Sequence, residues 1–264
     1  MIELKNISLT FNKNTVYHLS LFKNLSLTIN DGDFISVIGS NGAGKSTLMN
    51  ICAGSLFPDE GEIYIEGKNV TKQREHVRAK YIGRVFQDPK TGTCPDMSIR
   101  ENLSIAYNKT KSFNLSKGVE RKNEAFFLDQ LKTFKLGLED FINVEAGTLS
   151  GGQRQALSLI MATVAGPKLL LLDEHTAALD PVTSKNVMEM TKEIVTARNI
   201  TTLMITHNLN YAIEYGNRLM LMHKGGVIFD VSGNEKKKLT KHVLMDIFTQ
   251  SVPDGEMSDV MAFV

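Results

Sequence analysis

Apolar and polar residues alternate over Ile2–Leu9 and again over Leu25–Ile29, the period-two pattern of strands with one solvated face. Asp31-Gly32-Asp33 is a turn signal, and Phe34–Ile38 is nearly all apolar, as a buried strand is. A glycine-rich segment, Gly39–Gly44, follows at once. Lys45–Ala53 then contains no breaker and carries Leu48, Ile51 and Cys52 at helical spacing. The order is strand, glycine loop, helix. Further strands are expected at Glu62–Ile65 and Ile82–Phe86.

From Asp88 the texture changes. Asp88–Pro95 is loop material, and Ser98-Ile-Arg-Glu101 is a capping-box pattern that opens a helix. Lys109–Gly118 is a polar connection. Glu120–Phe134 carries apolar residues at 125, 128, 131 and 134, which predicts an amphipathic helix, so 88–165 reads as mainly helical. Strand texture returns in the four leucines Leu169–Leu172. Asp180-Pro181 supplies an N-cap and a first-turn proline for a helix over Val182–Thr196. Ile200–Thr206 is another strand candidate. Arg218–His223 and Val227–Val231 flank Gly225-Gly226 as a hairpin, and Ser251–Val264 reads as a polar tail. No internal repeat is visible. Strands alternating with helices make this an α/β layout.

Composition narrows the function classes. The 264 residues carry 30 basic and 29 acidic side chains, a net charge of +1, which argues against a general nucleic-acid binder. Cys52 and Cys94 offer neither a disulfide framework nor metal-ligand spacing. Met1–Leu4 has no basic stretch leading into an apolar core, so no secretion signal is expected. The longest nearly apolar stretch, Ala156–Gly166, is too short to span a bilayer. A soluble protein of a reducing compartment is expected.

Candidate chemistry begins in the glycine loop. Gly39-Ser40-Asn41-Gly42-Ala43-Gly44-Lys45-Ser46-Thr47 satisfies G-x-x-x-x-G-K-[ST] in full. Glycines let the backbone curl until several N–H groups converge on one anion, and the helix beginning near Lys45 adds its positive end. Lys45 supplies an ammonium to the β- and γ-phosphates of a nucleotide, and Ser46 a hydroxyl to Mg²⁺. Lys168–Asp173-Glu174 is an apolar strand that delivers Asp173 at its C-terminal edge, where α/β sheets bind ligands. Asp173 is assigned to the Mg²⁺ shell and Glu174 to the attacking water; read alone, the pair is also compatible with a solvated strand end. Leu149-Ser150-Gly151-Gly152-Gln153 lies 20 residues before Asp173. Ser150 and Gln153 form a capping box and the glycines let amides approach a second anion, although read in isolation S-G-G is more often a plain loop.

With this pentapeptide in place the sequence resembles the ATP-binding-cassette (ABC) ATPases, over about residues 2–250. The resemblance implies a P-loop NTPase fold with a RecA-like core, an antiparallel β subdomain and an inserted helical subdomain. Core and β subdomain are expected at about 1–87 and 166–250, the helical subdomain at about 88–165, and a tail at 251–264. Gln87 stands at the family's Q-loop, Ala178-Leu179-Asp180 at its D-loop, and His207 at its switch histidine. Phe11 stands where an aromatic, more often tyrosine, stacks on adenine. His175 stands where many members have proline and is assigned no chemistry. The family's pattern implies that ATP and Mg²⁺ are held by residues 39–47, Phe11, Gln87 and Asp173 of one copy, with Ser150–Gln153 and Asp180 serving the ATP of a second. Glu174 and His207 act on the γ-phosphate and its water. The strings Gln87–Thr93 and Asp173–Asp180 are similar to those of bacterial importers of aromatic amino acids.

That resemblance further implies an ATP-dependent homodimer, a separate permease, indirectly a solute-binding lipoprotein, and a place on the cytoplasmic face of the membrane. A soluble iron–sulfur-assembly ATPase or an exporter ATPase would keep the same motifs. Phe86, Met97, Ile99 and Leu103 either line a groove for the permease or form the core of the insertion. Lys72, Arg74, Arg78, Lys80 and Arg84 either face lipid headgroups or form a solvated face, and Lys236–Lys238 is expected to be solvated.

Overall fold

The computed structural model describes residues 1–111 and 117–251. These divide into two compact units, one formed by Met1–Arg78 and the chain from Thr201 onward, the other by Ala79–Ile200. The polar connection at Lys109–Gly118 lies partly, and the tail beyond residue 251 wholly, outside the described residues.

The first unit opens with β1 (Ile2–Phe11) and β2 (Leu19–Ile29), an antiparallel pair longer than the alternation alone indicated. Next come β3 (Phe34–Gly39), buried throughout, and α1 (Lys45–Ala53). β4 (Glu60–Ile65), β5 (Lys68–Asn69) and the single turn α2 (Glu75–Arg78) complete this stretch. β2-β1-β4-β5 is an antiparallel sheet.

In the second unit, β6 (Ile82–Val85) is followed by α3 (Ile99–Asn108) and α4 (Glu124–Lys132). Ser98 and Glu101 close the expected capping box on α3. A 3₁₀ turn at Arg121–Asn123 shortens the expected Glu120–Phe134 helix. Its buried stripe is Phe127, Leu131 and Phe134, whereas Ala125 is exposed. α5 (Gly151–Thr163), β7 (Leu169–Asp173) and α6 (Pro181–Arg198) follow. Asp180 caps α6 as its sequence predicts, and Asn199 ends it in the left-handed conformation. β6 and β7 are parallel, with Val85 opposite Leu172.

The chain then returns to the first unit as β8 (Thr201–Ile205), α7 (Leu209–Glu214), β9 (Arg218–His223), β10 (Gly226–Ser232), α8 (Gly233–Lys236) and α9 (Lys241–Ser251). β3 runs parallel to both β8 and β9, and β10 closes a hairpin on β9. Lys224 and Gly225 both have positive φ, which is the two-residue turn that suits the twist of a hairpin. Ile38, Leu209, Ala212, Leu219, Leu221, Leu244 and Phe248 share one core cluster, so the C-terminal helix α9 is docked by burial.

Two sequence expectations change, and one open alternative is decided. Arg78 is fully buried: its guanidinium donates to the carbonyls of Ile51 (2.7 Å), Cys52 (3.0 Å), Thr71 (3.0 Å) and Gln73 (2.9 Å), so it faces neither lipid nor water. Lys236 is also buried and donates to Ile213, Tyr215 and Gly216, and desolvation pushes its ammonium down to about 8. Ile99 and Leu103 are wholly buried and belong to the core, while Phe86 and Met97 are half-buried.

Candidate nucleotide site

The parallel pairing of β3 with β8 brings the start of the glycine loop and His207 to one edge of the first unit's sheet. Val37 lies opposite Ile205, and Thr206 donates its amide to Val37 at 3.2 Å. Gly39 follows with φ 152°, and a side chain there would run into the Met222 carbonyl of β9. Gly42 and Gly44 take left-handed φ of 75° and 99°, which lets the loop close over itself. The Ala43 amide donates to Ser40 at 3.2 Å, and the Ala43 carbonyl accepts from Gly225 at 3.0 Å, so the β9–β10 turn braces the loop from behind. A side chain at Gly225 would collide with the Leu21 carbonyl.

Lys45 is buried inside the loop, with Nζ donating to Gly39 (2.6 Å) and Ser40 (2.9 Å). Ser40 Oγ lies 3.5 Å from His223 Nδ1. Helix α1 has no side-chain cap and no acid in its first turn, so its N-terminal dipole and amides are presented to an anion. Ser46 is exposed, Thr47 is half-buried and Asn41 is exposed at the rim. A cavity of about 440 Å³ adjoins Gly42, lined by Leu19, Ser20, Leu21, Lys23 and the Lys224–Gly226 turn. Phe11 is not in its lining; it is the cross-strand partner of Leu19, which is.

The second unit gathers the other set. Because β6 and β7 are parallel, Phe86-Gln87 and Asp173-Glu174 leave the same edge. Gln87 is exposed. Asp173 Oδ2 lies 3.6 Å from Arg84 Nη2, and the Arg84 guanidinium stacks on Phe86 at 4.6 Å. Sequence reading gave Arg84 no part here; its spacing from Gln87 was visible, its direction was not. Glu174 has φ 45°, an uncommon backbone for a residue with a long side chain and one that clusters at functional turns. The next residue, His175, is buried, with Nε2 3.3 Å from Thr191 Oγ1, and burial pushes its imidazole down to about 4. It packs inside the protein, as expected of a residue without chemistry.

Ser150 caps α5, accepting the Gln153 amide at 3.3 Å, while Gln153 Oε1 accepts the Ser150 amide at 3.2 Å. The box is complete, and Ser150 and Gly151 are exposed at a second helix N-terminus. A methyl group on Gly152 would meet Thr183 of α6. Asp180 accepts from the amides of Val182 (3.1 Å) and Thr183 (3.0 Å), and its bonds with Thr183 foremost hold its carboxyl below the usual range. Each unit therefore presents an exposed helix N-terminus of the kind that suits an anion, and each gathers oxygen or nitrogen groups at a strand edge. Ser46, Asp173 and Gln87 are oxygen donors of the kind that Mg²⁺ takes with a phosphate.

The chain is similar to known proteins over most of its length. The ABC transporter family matches residues 22–177. The chain is 48% identical over 253 residues to the tyrosine transport ATP-binding protein of Clostridioides difficile (strain R20291), covering 96% of this chain and 100% of that one. It is 32% identical to a phosphonates import ATP-binding protein of Lactococcus lactis subsp. cremoris (strain SK11), covering 94% and 98%. A dimeric post-hydrolysis ATP-binding cassette bound to ADP and Pi matches with a TM-score of 0.73 at 32% identity, covering 88% and 98%. A nucleotide-free cassette from an ABC transporter matches with a TM-score of 0.75 at 27% identity, covering 100% and 98%. Among the described residues, no helix is long and apolar enough to cross a membrane.

Proposed function

The chain belongs to the ABC transporter family of ATPases, and we propose that it is the subunit that energises an importer of an aromatic amino acid, with tyrosine the first candidate. The observation that carries the coupling part is the pair of exposed anion-binding helix N-termini, α1 with Gly39–Thr47 and α5 with Ser150–Gln153. One chain with one phosphate loop has no use for a second such device unless it serves a second copy. Two copies related by a two-fold axis satisfy both with one self-complementary surface.

In this reading Gly39–Thr47 wraps the phosphates, Lys45 neutralises the β- and γ-oxygens, and Phe11 stacks on the base. Ser46, Asp173 and Gln87 hold Mg²⁺, which offsets phosphate charge. Glu174 polarises the attacking water and His207 contacts the γ-phosphate. Ser150, Gly151, Gly152 and Gln153 of the other copy close over that phosphate, with Asp180 beside them. Phosphoryl transfer asks mainly for positioning and charge stabilisation, which these groups supply. Hydrolysis removes the phosphate that joins the two copies, and a separate permease takes up the resulting motion. Gln87, in the segment that leads into 88–165, reports nucleotide state to that permease. The chain is then peripheral, on the cytoplasmic face of the membrane, and a solute-binding lipoprotein delivers the substrate.

Import of an aromatic amino acid rests on the 48% identity to the tyrosine transport protein, against 32% to the phosphonate one. Recovery of the tagged chain from a detergent extract tests the transport reading: a multispanning permease is expected with it. Recovery with soluble cluster-assembly proteins alone would overturn that reading. Ligand screening of the solute-binding lipoprotein encoded beside the permease tests the substrate. Tyrosine or a related aromatic amino acid is expected, and selective binding of a phosphonate would refute the assignment.

A further inference from the structure

Main-chain contacts tie the segment just beyond Gln87 to the segment that leads into Ser150. Gly147 donates its amide to Pro95 (2.8 Å) and Ala146 to Met97 (2.9 Å); in the other direction Ile99 donates to Val144 (3.0 Å) and Arg100 to Ile142 (2.9 Å). Between them Ser98 and Glu145 form an antiparallel bridge. Asn102, fully buried in α3, stiffens the first segment. Its Nδ2 faces the carbonyls of Cys94, Met97 and Ser98 at 3.0–3.1 Å, and its Oδ1 accepts the Cys94 amide at 2.8 Å.

The second segment is held from α5. Arg154, one residue past the Leu149–Gln153 pentapeptide, is buried, and both Nε (3.0 Å) and Nη2 (2.7 Å) donate to the Ala146 carbonyl. A buried guanidinium is costly to desolvate, so a forked grip on one carbonyl needs a reason beyond packing. Its neighbour Gln155 donates Nε2 to the Phe86 carbonyl at 3.2 Å, the residue before Gln87. Consecutive residues of α5 thus hold the approach to Ser150 and the approach to Gln87.

We propose that Arg154 is a positioning residue for Ser150–Gln153. By gripping Ala146 it sets the turn Ala146–Thr148, and through it the direction in which Ser150 and the first-turn amides of α5 face a phosphate. The inference rests on the reading that these groups serve the nucleotide of a second copy.

Mixed dimers test it. Arg154→Met removes the donors and keeps a helix-compatible side chain; Arg154→Lys keeps the charge without the fork. In Arg154→Met the ATP dissociation constant of the subunit stays at its wild-type value while kcat falls by about 10²-fold, the size of a misplacement of about 1 Å. Arg154→Lys falls between. Mixing Arg154→Met with Lys45→Ala, each strongly impaired alone, restores hydrolysis at one of the two sites, because the mixed dimer pairs an intact phosphate loop with an intact Ser150–Gln153. Gly151→Asp mixed with Lys45→Ala is the control, since it places a negative charge directly at the second anion site. If the control recovers activity and the Arg154→Met mixture does not, the positioning role is wrong. If neither recovers, the two-copy reading fails and the inference falls with it. A loss of ATP affinity in Arg154→Lys equal to its loss of kcat would make Arg154 merely structural and overturn the proposal.

Discussion

Gly152 is the tightest packing point of the Ser150–Gln153 turn. A Cβ built there falls 2.3 Å from Thr183 Cγ2, whereas carbon atoms in contact sit about 3.5–4.0 Å apart. Relief in Gly152→Ala therefore requires Thr183 to leave its rotamer or the start of α5 and the start of α6 to separate by more than about 1 Å. Overpacking of this size costs about 1–3 kcal/mol in stability, and a shift of about 1 Å at a phosphate-binding turn lowers turnover by about 10²-fold. The obstruction is a single methyl group, so Thr183→Ser, which lacks Cγ2, relieves it while keeping the backbone amide that Asp180 accepts. Steady-state ATPase rates and urea unfolding of the two single variants and the double variant form a complete cycle. Thr183→Ser is expected to be near wild type, Gly152→Ala to lose both stability and turnover, and the double variant to recover most of both. If Thr183→Ser leaves the ATPase defect of Gly152→Ala untouched, the glycine is needed for close approach of the phosphate and the packing argument is refuted.

Two further substitutions read buried groups. Arg78→Met strands four carbonyls, including those of Ile51 and Cys52 in the last turn of α1, and is expected to cost about 3–5 kcal/mol in urea unfolding; a loss below about 1 kcal/mol would contradict that role. His175 is neutral in the fold, with its imidazole pushed from 6.5 to about 4 by burial. The unfolded chain binds that proton more readily, so the stability it protects is complete above pH 6.5 and is lost as pH falls toward 4, by up to about 3 kcal/mol. His175→Gln is expected to flatten the acid limb of stability against pH over that window, and an unchanged slope would show that His175 does not set it.

The phosphate loop, the capping boxes at Ser98 and Ser150, and the Asp180 cap were legible in the sequence because each is local: a few residues supply donor, acceptor and turn. The strand Leu169–Leu172 was legible because burial on both faces leaves no polar letter. Arg78 and Lys236 were misread because a basic letter defaults to solvent. Ile51 and Cys52 for Arg78, and Ile213 and Tyr215 for Lys236, lie more than twenty residues away and become neighbours only in the fold. Arg84 beside Asp173 escaped for the same reason; Arg154 on Ala146, eight residues back, escaped because the turn that brings that carbonyl to α5 carries no periodic signal. The stripe of α4 shifted from Leu128 to Phe127 because two periodic sets overlapped in Glu120–Phe134, and which one packs is decided by the neighbouring helices. Short elements such as α7 and β5 carry too few residues for any periodicity to show.

The central claim is that this chain acts as a pair, each copy closing over the other's ATP. Light scattering of Glu174→Gln with Mg²⁺ and saturating ATP tests it most directly, because removal of the group assigned to the water traps the closed state. A species of twice the 29.3 kDa subunit mass is expected, with one ATP per subunit and dissociation when the nucleotide is removed. A monomer at saturating ATP, or wild-type hydrolysis by this variant, would contradict the account.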